Sequence, residues 1–113
     1  MNDVLSELRF KNLERSREWG LDAMSHREKI LFQCTELAGE AGELCNAVKK
    51  LARYQHGMPG GVDHPNSCRD ISDELGDVII AADMLARSMG LVWVSRLLRS
   101  LTRRVTSTGL SQR

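Results

Sequence analysis

Apolar and polar positions along this chain recur every three to four residues and almost never alternate, which is the period of helices and not of strands. Four helical segments account for most of the chain. The first is predicted from about Asp3 to Trp19, with Val4, Leu5, Leu8, Leu13 and Trp19 on its apolar side. The second starts after Ser25, where "SHRE" forms a capping box with Glu28 three positions on, and runs to about Arg53. Its apolar stripe is Ile30, Cys34, Leu37, Ala41, Leu44, Val48 and Leu51. The glycines and prolines of "YQHGMPGGVDHPNS" predict a long, mobile loop over 54–67. A third helix is expected to start between Asn66 and Asp70 and to end at Met89, with Gly90 placed as its left-handed terminator. Ile71, Leu75, Val78, Ile79, Ala82, Leu85, Ala86 and Met89 form its stripe, and Ile80 and Met84 add a second apolar side. Its back half therefore reads as buried nearly all round, as at a bundle centre or a subunit interface. The last helix covers about Val92 to Val105, with a frayed tail over 106–113.

A second pattern lies beside the apolar one. At 100° per residue, Glu36, Glu40 and Glu43 fall within about 60° of one another on the second helix, with Lys50 on the same side two turns on. Asp70, Glu74 and Asp77 share a face of the third helix. Both acid faces border the cores of their helices, so antiparallel packing would bring them to one edge of the bundle. Carboxylates crowded in this way repel one another and raise some of their pKa values. A hard divalent cation relieves the repulsion, because magnesium takes oxygen ligands and keeps waters that a phosphate can replace. Gly39 and Gly42 flank Glu40, and Gly76 precedes Asp77. Each glycine costs about 0.8–1 kcal/mol against alanine inside a helix, and close approach of the two backbones would account for that cost. The alternative is a solvated acidic face, but these acids face one another and not lysines.

Composition narrows the picture without redirecting it. The chain has 113 residues, reads as a single domain over 1–113, and carries a net charge of +1. Net charge therefore points to neither nucleic acid nor a membrane surface. Asp83 is the last acid, and beyond it the only charged residues are arginines: Arg87, Arg96, Arg99, Arg103, Arg104 and Arg113. No signal peptide and no membrane span are recognisable. The three cysteines, Cys34, Cys45 and Cys68, suggest free thiols in the cytoplasm. Cys68 with His56 and His64 fits no zinc spacing, and the Glu-x-x-His pairs of a di-iron bundle are missing.

"GEAGEL" (39–44) followed by "DELGDVI" (73–79) resembles the MazG-like, all-α nucleoside triphosphate pyrophosphohydrolases, closest to the small single-domain branch that includes dCTP pyrophosphatases. That superfamily is marked by Glu-x-x-Glu on one helix and Glu-x-x-Asp on the next, here Glu40-x-x-Glu43 and Glu74-x-x-Asp77. The resemblance covers about residues 30–90. It implies a four-helix bundle assembled as a homodimer or dimer of dimers. It implies Mg²⁺ (or Mn²⁺) on Glu40, Glu43, Glu74 and Asp77, and cleavage of a nucleoside triphosphate to monophosphate and pyrophosphate. Glu36 would be an extra ligand or a water-orienting base. Gly39 stands where many relatives have a glutamate, and the two motifs lie further apart than usual. "SLTRRVTSTGL" (100–110) replaces the Lys-Phe-Asn-like element of many relatives, so the phosphates would meet Arg99 and Arg103, one turn apart, and Lys50. Lys49 and Lys50 equally suit a solvated helix end. Trp19 and Trp93 suit either a core or a stacking platform for a base. Two other readings stay open: a helical nucleotide-binding or regulatory module with weak or no turnover, and a small DNA-binding dimer that uses the arginine tail.

Overall fold

The computed structural model describes residues 2–107; the rest of the expected tail, 108–113, lies outside them. It is all-helical: α1 (Asn2–Glu18), a 3₁₀ turn (Leu21–Ala23), α2 (His26–Gln55), α3 (His64–Ser88) and α4 (Trp93–Ser107). Local chemistry sets most of these ends. The hydroxyl of Ser25 caps α2 by accepting the Glu28 N–H at 3.2 Å. Gly90 takes φ +67° at the end of α3, and the Leu91 N–H returns to the Ala86 carbonyl at 2.8 Å.

α3 starts earlier than the sequence suggests, and the connector is correspondingly shorter. Asp63 is the cap, its carboxylate accepting the Asn66 N–H at 3.1 Å, and Pro65 sits in the first turn. There the missing N–H of a proline costs nothing, so Pro65 opens the helix instead of delaying it. The connector is also tied down. Met58 N–H reaches the Arg53 carbonyl at 2.8 Å, and Val62 N–H reaches the Lys50 carbonyl at 3.1 Å. Gly61 lies so close to α2 that an added Cβ would sit 2.6 Å from the Tyr54 Cα.

α2 and α3 form the body of the chain, and α1 lies along α3. The pair is antiparallel: Gln33 shares a cleft with Ala81 and Met84, Glu40 lies beside Glu74 and Asp77, and Lys50 shares a second cleft with Asp70. The seam is lined by Gln33, Ala47, Ala81 and Met84, which are buried, and by the half-buried Leu37, Glu40, Leu44 and Glu74. It therefore falls between the acid and apolar stripes of α2, and Cys34 and Val48 from the expected core are left exposed. α3 shows the same offset. Leu75 and Ile79 are 46% and 50% exposed, and Ala82 and Met89 are exposed as well. The back half of α3 is thus not buried all round within one chain.

One chain does not close a four-helix bundle by itself. α4 leaves α3 at 115° and packs on no helix as α2 and α3 pack on each other. The Cα radius of gyration is 17.6 Å, against about 13 Å for a compact domain of this length. Among the described residues, no single helix is long and apolar enough to cross a membrane.

α1, α3 and α4 meet at Asp83, which is 0% exposed. One carboxylate oxygen accepts the Asn12 amide at 2.9 Å, and the other accepts the Trp93 indole N–H at 2.7 Å, with Arg9 at 3.8 Å. Asn12 also donates to the Ile80 carbonyl at 3.2 Å. Trp93 is thereby a structural tie and not a free platform. Asn12 and Arg15 follow one face of α1, and Trp19 comes one turn on, just past its end, so the Asp83 node also fixes what this end of the helix presents.

Candidate functional site

The antiparallel register brings three acids together at the seam. Ligand-capable oxygens of Glu40, Glu74 and Asp77 all lie within 4.8 Å of one another, on the scale of a single ion's ligand shell, in which opposite oxygens stand about 4.2 Å apart around Mg²⁺. One oxygen of Glu40 and one of Glu74 are buried with no hydrogen-bond partner. Buried polar atoms are nearly always paired, and two orphaned carboxylate oxygens on residues of one cluster fit a cation-binding role. Burial and, after it, repulsion from Glu43, Asp77 and Glu74 push the Glu40 carboxyl above its ordinary value. The Glu74 carboxyl is pushed up in the same way, by burial first and then by Glu43 and Asp77. Glu43 stands within hydrogen-bonding reach of both, although it falls outside the tight group of three.

The remaining expected site residues divide. Glu36 lines a small open cleft with Arg15, Trp19, Gln33, Glu40 and Asp77. Lys50 lines a neighbouring cleft with Glu43, Asn46, Asp70, Asp73 and Glu74. Arg99 and Arg103 do not join either. They line a separate surface cavity on α4 with Arg96 and Ser100, because α4 points away from the α2–α3 seam.

The glycines do not play the part expected of them. A Cβ on Gly39, Gly42 or Gly76 would meet nothing within 4 Å, so these residues do not let α2 and α3 approach. Close approach depends instead on Ala47 and Ala81, the small side chains buried in the seam.

Trp19 is not a core residue. It is 44% exposed, meets Phe32 edge-on with ring centres 6.2 Å apart, and carries the Arg15 guanidinium 4.5 Å from its ring centre. It forms one wall of the cleft that ends at Glu40 and Asp77. Gln33, which the helical pattern did not single out, is 1% exposed in the same cleft, and its amide nitrogen has no partner. A polar residue one turn from both Ile30 and Leu37 was the available signal. Cys68 lies 3.6 Å from a ring nitrogen of His64, and among the described residues the only potential metal cluster is the acidic one.

No family model matches the chain, and no curated protein or solved structure shows significant similarity to it.

Proposed function

We propose that this protein is a Mg²⁺-dependent nucleoside triphosphate pyrophosphohydrolase that works as a homodimer or dimer of dimers. The observation that carries the reading is the convergence of Glu40, Glu74 and Asp77, with two of their oxygens buried and unpartnered. Glu40, Glu74 and Asp77 would hold the cation, with Glu43 beside them. When bound, a divalent ion there would neutralise phosphate oxygens and lower the pKa of a water.

The rest of the chemistry falls to side chains. Water attacks phosphorus, the bridging P–O bond breaks, and pyrophosphate leaves from the monophosphate. Glu36, which lines the cleft with Glu40 and Asp77, would take the proton of the attacking water. Lys50 offers a point charge to the outer phosphates from the adjoining cleft. Trp19 offers its ring to the base. Arg99 and Arg103 have no part in this within one chain. A second copy would cover Leu75, Ile79 and the other apolar residues left in water.

The remote arginines favour a second reading, a helical module that binds nucleotide without turnover. One experiment separates the two. Purified protein is incubated with each (d)NTP and Mg²⁺ or Mn²⁺, and pyrophosphate is assayed beside nucleotide binding. Pyrophosphate from at least one nucleotide, lost in Asp77→Ala with helicity retained, supports the enzyme. Binding without pyrophosphate supports the module, and neither binding nor release refutes both.

A further inference from the structure

We infer that Gln33 is the residue that reads the base of the bound nucleotide, through its side-chain amide; this rests on the nucleotide reading above. Gln33 is 1% exposed, and its Nε2 has no hydrogen-bond partner. A buried amide nitrogen that meets neither water nor a protein acceptor gives up the hydrogen bonds it would make in the unfolded chain, and native proteins rarely tolerate that without a reason. Gln33 opens onto the cleft walled by Trp19, Ile80, Ala81 and Met84, and that cleft runs to Glu40 and Asp77. The cleft is thus acidic at one end and aromatic and apolar at the other, with the Arg15 guanidinium stacked on Trp19 and the unpartnered Gln33 nitrogen in its wall.

A nucleotide fits that order of chemistry. Its phosphates belong at the carboxylate end by way of a cation, and its base belongs against Trp19. A flat heterocycle stacked there turns its edge toward the wall, where an N–H donor selects an edge carrying a carbonyl oxygen or an unprotonated ring nitrogen. Bases that present a donor at the same point leave two N–H groups facing each other, with neither satisfied. Discrimination by such a contact is large because the wrong base leaves unpaired groups beside a buried nitrogen that water does not reach. Gln33 does not touch the phosphates and has no role in bond breaking. It sets which nucleotide is used, not how fast a bound one reacts.

The test uses Gln33→Met and Gln33→Leu, which keep the volume and remove the donor. Wild type and both variants are assayed for kcat and KM with dCTP, dUTP, dATP and dGTP in Mg²⁺. Binding of the matching α,β-imido analogues is followed by tryptophan fluorescence, and thermal unfolding is recorded without ligand. The expected result is a loss of about tenfold to a hundredfold in kcat/KM for the preferred nucleotide, carried by KM. The least-favoured nucleotides change little, so the preference flattens, and the ligand-free melting temperature holds or rises because an unpaired buried amide is gone. A wild type without base preference overturns the inference, and so does a preference that survives in both variants. A lower melting temperature with unchanged preference makes Gln33 a packing residue and overturns it too. If the wild type binds the analogues selectively but releases no pyrophosphate, the enzyme reading fails while the role of Gln33 is still decided by binding. If it neither binds nor turns over any nucleotide, both fall.

Discussion

Replacing Asp83 with asparagine tests whether the buried node orders the helices as its hydrogen bonds indicate. Asp83 offers two acceptor oxygens to two donors, the Asn12 amide at 2.9 Å and the Trp93 indole at 2.7 Å. Asparagine has one oxygen and one NH₂, so it satisfies one of those donors and confronts the other with a donor of its own. Turning Asn12 over does not help, because its oxygen would then face the Ile80 carbonyl that its nitrogen now reaches at 3.2 Å. One buried group is left unpaired, at a cost of about 1–3 kcal/mol. For a chain of this size that lowers the melting temperature by roughly 3–15 °C. Trp93→Phe alone removes one hydrogen bond to a charged group, about 1.5–3 kcal/mol. In the Asp83→Asn background the same change removes the competing donor, and the single amide oxygen can serve Asn12. The double variant should therefore be more stable than the two single losses predict, by roughly 1–3 kcal/mol, as read from urea unfolding by circular dichroism. Additivity within about 0.5 kcal/mol would refute the shared-acceptor geometry. Because Asn12 and Arg15 share one face of α1 and Trp19 follows directly at its end, Asp83→Asn should also weaken nucleotide binding although Asp83 lines neither acidic cleft.

Glu74→Gln should reduce Mg²⁺ affinity and turnover by more than about a hundredfold, since even outer-shell changes at metal sites cost 10–100-fold; calorimetry and the pyrophosphate assay check it. The pH dependence follows from the raised carboxyls of Glu40 and Glu74. The folded state holds protons there that the unfolded state has released, so these groups erode stability as pH climbs from their ordinary value of 4.5 through the raised range, and the loss is complete above it. Thermal unfolding of metal-free wild type against Glu40→Gln/Glu74→Gln should show a gap that opens with rising pH and that saturating Mg²⁺ closes. Gly61→Ala should cost about 1–3 kcal/mol, because its Cβ would meet the Tyr54 backbone; urea unfolding measures it. Ile79→Asp should shift the protein to monomers in light scattering if the half-exposed α3 face is covered by a second copy.

The parts of this fold that the sequence disclosed are those fixed by neighbours along the chain. The Ser25 cap and the Gly90 terminator are each decided within a turn of helix, and the structure has both. The start of α3 is hidden in the sequence because Pro65 reads as a breaker until Asp63, two residues earlier, is recognised as a cap. Asp83 and Gln33 carry long-range information: each is a polar residue among apolar ones, and its significance depends on which other helix arrives opposite it. Asp83 needs Asn12, seventy-one positions away. A lone charge between Ala82 and Met84 announced only that some partner must exist.

The glycines show where helical periodicity stops being enough. Gly42 lies about half a turn round from the Glu40–Ala47 seam, and Gly39 about a quarter turn; both are exposed, as are Leu31, Cys34, Ala38, Cys45 and Val48. The sequence pattern identified small residues next to acids, but it did not say which side of α2 they served. In the single chain that side is a strip of small and apolar groups facing water, and its poor helix formers gain nothing there. In the proposed homo-oligomer the same strip would permit a close approach from outside the chain. The backbone proximity expected between α2 and α3 would then belong between copies. The acids lie on the seam side of the helix and Gly42 away from it, so α2 would carry chemistry on one face and assembly on another. The two functions would share one element without competing for the same positions.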